Sequence, residues 1–180
     1  MQPTTYKPGP RPANPARSPT RYVGRVTDSR IVSVTTTVEA PAATVFAILA
    51  DPREHARIDG SGSVRELVTG PDRLERGAEF GMDMKLFGLP YKIRNRVVEF
   101  EEGRLIAWRH FGGHRWRYEL APAIGATRVT ESFDYSPYNR VGAGIIRLLG
   151  FPERNRRGIE ATLARLKAAA EQDADRASGD

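Results

Sequence analysis

From Ile31 to Val38 almost every residue is β-branched, and Val32, Val34, Thr36 and Val38 share one side of an extended chain, which predicts a half-buried strand. Glu39-Ala40-Pro41 ends it. Pro41 suits the first position of a helix, where its missing N–H costs nothing, and Val45, Phe46 and Leu49 form an apolar stripe that Asp51-Pro52 stops. A second short helix is expected from Pro52 to about Ile58, with Asp51 as N-cap, before Asp59-Gly60-Ser61-Gly62 turns the chain back towards strands. Six strand-like stretches follow, at about 63–69, 78–87, 91–101, 104–111, 114–121 and 127–135. Gly70-Pro71-Asp72, Gly88-Leu89-Pro90, Glu102-Gly103, Gly112-Gly113 and Gly125 punctuate them as the turns of an antiparallel meander would. Ile145, Ile146, Leu148 and Leu149 mark a helical segment, Pro152 interrupts, and Ile159, Leu163, Leu166 and Ala170 have the spacing of a longer amphipathic helix.

Alternation also assigns faces. Around Gly112-Gly113, a loop of Phe111, Gly112 and Gly113 pairs His110 with His114, Trp108 with Trp116 and Ile106 with Tyr118. One face is then aromatic and imidazole, and the other carries Arg109, Arg115 and Arg117. Phe80, Met82, Met84 and Leu86 share a face opposite Glu79, Asp83 and Lys85, and Tyr91, Ile93, Asn95 and Val97 share another opposite Lys92, Arg94 and Arg96. Apolar parity switches at Val98 and Phe100, which predicts a bulge near Val97. In the last strand Glu131 lies with Val129, Phe133 and Tyr135. A carboxylate there meets a cation, shifts its pKa upward or contacts a polar ligand group, unless it lies near the sheet end and reaches water.

Composition narrows the function classes. The chain of 180 residues has a formal charge of +6, but the first thirty residues hold six Lys/Arg against one acid, and the remainder is nearly balanced. No concentrated basic face is predicted, which argues against a nucleic-acid partner. Those first residues also hold six of the thirteen prolines and no apolar run, so residues 1–28 are expected to be a disordered basic tail, residues 29–172 the folded domain, and 173–180 a second disordered tail. There is no cysteine and no stretch of the ~20 apolar residues that an integral membrane segment needs, so a cytoplasmic protein is expected. Phosphate-cradling glycine loops, nucleophile elbows and zinc-protease histidine spacings are absent, and no metal or cofactor is expected. His110 and His114 are close enough to share a metal but lack demonstrable further ligands; exposed imidazoles at a hairpin tip, or an acid–base role with Glu131, are the other readings. His55 is expected at a solvated surface, with its helix capping one end of a cavity as the alternative. Arg154, Arg156, Arg157 and Arg165 are expected on the wet face of the last helix, balanced by Glu153 and Glu160; a membrane-surface helix is the lesser alternative, because mixed charges dilute the cationic face.

One strand, two short helices, six strands and a long terminal helix make an α+β order in which only the terminal helix can cover the sheet. Val38-Glu39-Ala40-Pro41-Ala42-Ala43-Thr44-Val45-Phe46, Leu49-Ala50-Asp51-Pro52 and Gly125-Ala126-Thr127-Arg128-Val129-Thr130 resemble the START-like, helix-grip superfamily, in its bacterial polyketide cyclase/dehydrase-like branch. The resemblance implies a curved antiparallel sheet of about seven strands gripping the helix, with a cavity between them. The leading expectation is a binding or carrier domain for a hydrophobic small molecule (lipid, polyketide or sterol-like). Phe80, Met82, Met84, Trp108, Trp116, Tyr118 and Phe133 would supply contact area, and Asn95, Glu131 and His110 would orient polar groups. The alternatives are a metal-independent cyclase/aromatase or dehydratase using Glu131, His110 and Asn95, and a protein-interaction module. A homodimer is left open.

Overall fold

A computed structural model describes residues 30–86, 88–110 and 113–179. The expected N-terminal tail, and Phe111 and Gly112 of the predicted turn, lie outside these residues. Strand β1 (Ile31–Val38) is followed by helices α1 (Ala42–Ala50) and α2 (His55–Ile58). The meander comprises β2 (Val64–Thr69), β3 (Glu79–Leu86), β4 (Leu89–Glu101), β5 (Leu105–Arg109), β6 (Arg115–Ala123) and β7 (Ala126–Asp134). Helices α3 (Arg140–Leu148) and α4 (Phe151–Gly179) close the chain. The seven strands form one antiparallel sheet in the order β1-β7-β6-β5-β4-β3-β2, so the meander holds and β1 returns to pair with the last strand.

Registers match the face assignments. Trp108 pairs with Trp116 and Ile106 with Tyr118, and Gly113 takes a φ of +84°, the left-handed conformation a glycine adopts freely. In β4 the register slips between Val97 and Glu99, leaving Val98 as the extra residue of a bulge and turning Phe100 towards the core. On the outer face Arg115 binds Asp134 and Glu99, and Arg117 binds Glu99 and Glu119.

The helices depart from expectation at their ends. Pro41 precedes α1 as its cap residue, its carbonyl accepting the Thr44 and Val45 amides, instead of opening the helix. Asp51 does not cap α2. Its carboxylate accepts the Arg53 amide two residues on and the Arg53 guanidinium, so it holds a tight turn, and α2 begins only at His55. Pro152 does not interrupt a helix either. Gly150, at φ +71°, ends α3, and Pro152 lies in the first turn of α4, where no amide donor is required. Helix α4 buries Ile159, Leu163, Leu166 and Ala170 against β1, β7, α1 and α2. It also runs past Gln172, where a disordered tail was expected: Asp173 receives the Arg57 guanidinium at 3.0 Å, and Ala174 packs on the core, so these residues gain contacts that their composition does not advertise.

Candidate functional site

The inner face of the sheet is built in rows. Val97, Trp108, Trp116 and Phe133 lie abreast across β4, β5, β6 and β7, and the next row places Ile106, Tyr118 and Glu131 side by side. On the other side of the tryptophans, the register carries Phe80 and Asn95 towards His110 and His114. These rows face α4 across a cavity of ≈ 870 Å³. Phe80, Met82, Met84, Asn95, Trp108, His110, Trp116, Tyr118, Glu131 and Phe133 all line it, with Ile159 and Thr162 of α4 opposite. Trp116 lies against Phe133, ring centroids 5.1 Å apart, and leaves the space between sheet and helix open.

The polar groups fall into two sets. Glu131 is only 3% exposed and bonds to Tyr118, while its Oε2, like Oδ1 of Asn95, has no partner within the protein. Burial pushes the Glu131 carboxyl up to about 8; the Tyr118 hydrogen bond opposes this and the neighbouring Asp59 charge adds to it. Tyr118 itself is raised well above the ordinary phenol value, first by burial and then by the Glu131 charge. At neutral pH the site therefore presents a protonated carboxyl beside a protonated phenol. The second set is imidazole. His110 and His114 meet edge to face at 4.0 Å, and the His114 Nδ1 shares a hydrogen bond of 3.0 Å with the Tyr138 hydroxyl. Burial lowers His110, and burial with the His110 charge pushes His114 down to about 3, so both rings are neutral at pH 7.

Glu131 and the histidines share a face but do not form the acid–base unit that alternation suggested. His114 continues the register opposite Tyr135, four residues or about 13 Å along the strand from Glu131, with the Trp116–Phe133 row between. Among the described residues no group of three or more His, Cys, Asp or Glu side chains is placed to hold a metal ion.

Several site residues were not foreseen. His55 is buried, not solvated: its Nε2–H donates to the Leu49 carbonyl at 3.0 Å and its ring stacks on Trp108 at 4.8 Å, so burial lowers its pKa. Asp59 faces the cavity while its carboxylate accepts the Ser61 amide and hydroxyl and the Val64 amide. Asp59-Gly60-Ser61-Gly62 signalled the turn but not the side it faces. Arg154 and Arg157, expected on the wet face of the helix, stand at the cavity mouth with Tyr138, Ile146 and Phe151. Arg165 donates to the Asp59 carbonyl, and Arg156 lies between Glu153 and Glu160.

A sheet gripping one long helix is also what comparison with known proteins finds. The chain belongs to the polyketide cyclase/dehydrase and lipid transport family. The family's model matches residues 29–171. The chain is 48% identical over 140 residues to the uncharacterized protein Rv0088 of Mycobacterium tuberculosis, a match that covers 75% of this chain and 62% of that protein. The chain thus spans under two thirds of that curated relative. Among solved structures it resembles protein Ms6760 of Mycobacterium smegmatis (TM-score 0.61, 20% identity, 83% of this chain and 99% of that one). It also resembles a protein of Arthrobacter aurescens (TM-score 0.65, 14% identity, 84% and 91%). At such identities these likenesses show the fold. No helix among the described residues is long and apolar enough to cross a membrane.

Proposed function

We propose that the protein binds and carries a hydrophobic small molecule, lipid, polyketide or sterol-like, between sheet and α4. The observation that carries this reading is a cavity of ≈ 870 Å³, a size suited to such ligands, whose sheet wall is mainly aromatic and methionine side chains with Asn95, His110, His114 and Glu131 set among them. The two methionines adapt to variable apolar shapes. Glu131 Oε2 and Asn95 Oδ1 would meet the polar atoms of the occupant, since each is buried without a partner. Native mass spectrometry of the purified protein, with a solvent extract of what it retains, tests the reading. A retained apolar molecule, or a tryptophan fluorescence change on titration with sterols, fatty acids or polyketides, is expected. The absence of both across that panel would overturn it.

The Glu131–Tyr118 pair favours a second reading, a cyclase or dehydratase without metal or nucleotide. A buried carboxyl with a pKa of about 8 on the cavity wall can accept and return a proton near neutral pH, as enolisation of a poly-keto chain requires. Here Glu131→Gln and Tyr118→Phe should lower turnover by about 100-fold or more while ligand still binds. An unchanged product profile in both variants would remove the pair from any chemistry.

A further inference from the structure

Helix α3 has an apolar face towards water that neither the cavity nor the core uses. Ala143 is buried and Ile146 lines the cavity, so the inner face of the helix is accounted for. Val141, Ile145, Leu148 and Leu149 lie instead on a different arc of about 100°. That arc faces solvent, Val141 being 72% and Leu148 86% exposed. At the start of β4, two residues before the cavity-lining Tyr91, Leu89 is also 72% exposed. Scattered apolar residues at a surface need no explanation, but three on one face of a nine-residue helix, with a fourth at its C-cap, beside a cavity mouth do.

Charge identifies what covers this face. From Tyr135 to Pro152 the chain holds no acidic residue, and the only charges on α3 are Arg140 and Arg147, both along one flank of the stripe. Arg154 follows at the mouth. An apolar stripe flanked by cations is the pattern of a helix lying in a lipid interface, its apolar side among acyl chains and its guanidinium groups among phosphates. A second copy of the chain fits less well, because an antiparallel two-fold contact over the stripe sets the arginines of one copy against those of the other, and a parallel one leaves them without an anionic partner. We propose that α3 docks on an anionic membrane surface and so brings the cavity mouth, which Ile146 lines, to the lipid interface. This holds whatever the cavity carries, and its test needs no cavity ligand.

The chain has no cysteine, so Leu148→Cys can be labelled with an environment-sensitive fluorophore at a single site, and Ile124→Cys in the β6–β7 turn, at the far end of the sheet, is the control. With vesicles of phosphatidylcholine containing about one-third phosphatidylglycerol, the probe at 148 should brighten and shift to the blue while the probe at 124 does not. The response should fall in high salt and with phosphatidylcholine alone. In the unlabelled chain, Ile145→Glu with Leu148→Glu should reduce vesicle partitioning by roughly 10-fold with the circular dichroism unchanged. Should that variant not fold, the probe at 148 decides alone. Vesicle binding with a silent probe at 148 would assign the attraction to the basic N-terminal residues and overturn the proposal. So would equal partitioning of the folded double variant, or a dimer in vesicle-free solution that this variant dissociates.

Discussion

Glu131 ties a buried side chain to a pH dependence whose sign is fixed. Its folded pKa of about 8 lies above the ordinary 4.5, so the stability it contributes is complete below pH 4.5 and is lost as pH rises through 8. Glu131→Gln removes this slope. The variant should gain stability relative to the natural protein as pH climbs through that window, by a total on the order of a few kcal/mol, and denaturant melts at several pH values check it. His114 runs the other way: held down at about 3, it contributes stability above pH 6.5 that is lost as pH falls, so His114→Gln should blunt acid unfolding in the same melts. Tyr118→Phe takes away the one hydrogen bond that lowers the Glu131 pKa. It should cost about 1–3 kcal/mol and move the alkaline window upward. That Glu131 shares the apolar face is readable from alternation alone. That its partner is Tyr118 and not His110 depends on the registers of two strand pairs, which no single stretch of sequence encodes.

At the scale of elements, the cavity end is set by the turn after α2 pressing on α4. The Gly60 amide donates to the Thr162 hydroxyl at 2.9 Å, and a Cβ at Gly60 would lie 2.2 Å from the Thr162 amide nitrogen in the helix backbone. Gly60→Ala should therefore destabilise by about 2 kcal/mol or more, read as a lowered thermal midpoint, because a helix backbone cannot step aside as a side chain can. Strand faces, the Val98 bulge and the buried stripe of α4 are legible because their periods lie within one element. Helix ends are less so. Pro41, Asp51 and Pro152 each fit more than one position near a terminus, and local hydrogen bonds decide which.

At the scale of the molecule, function depends on a space that no element owns. Met84→Trp should fill part of the cavity from its half-buried position and weaken binding of an apolar fluorescent probe by roughly 10-fold, with little change in the thermal midpoint. A true cavity ligand should raise that midpoint in proportion to the logarithm of its concentration above the dissociation constant, which thermal melts at increasing ligand can measure.

By itself the sequence determined the order of elements, the two faces of each strand and the helix able to cover the sheet, because side-chain period and turn chemistry are local properties. The tertiary structure alone decided that His55 stacks beneath Trp108, that Asp59 adds its charge to the Glu131 site and that the arginines opening α4 stand at a mouth. Those placements come from elements packing across distances over which the sequence has no periodicity to report. The same distinction explains the stripe on α3: its pattern is visible in the chain, but whether it faces core or water is settled only when every other element has taken its place.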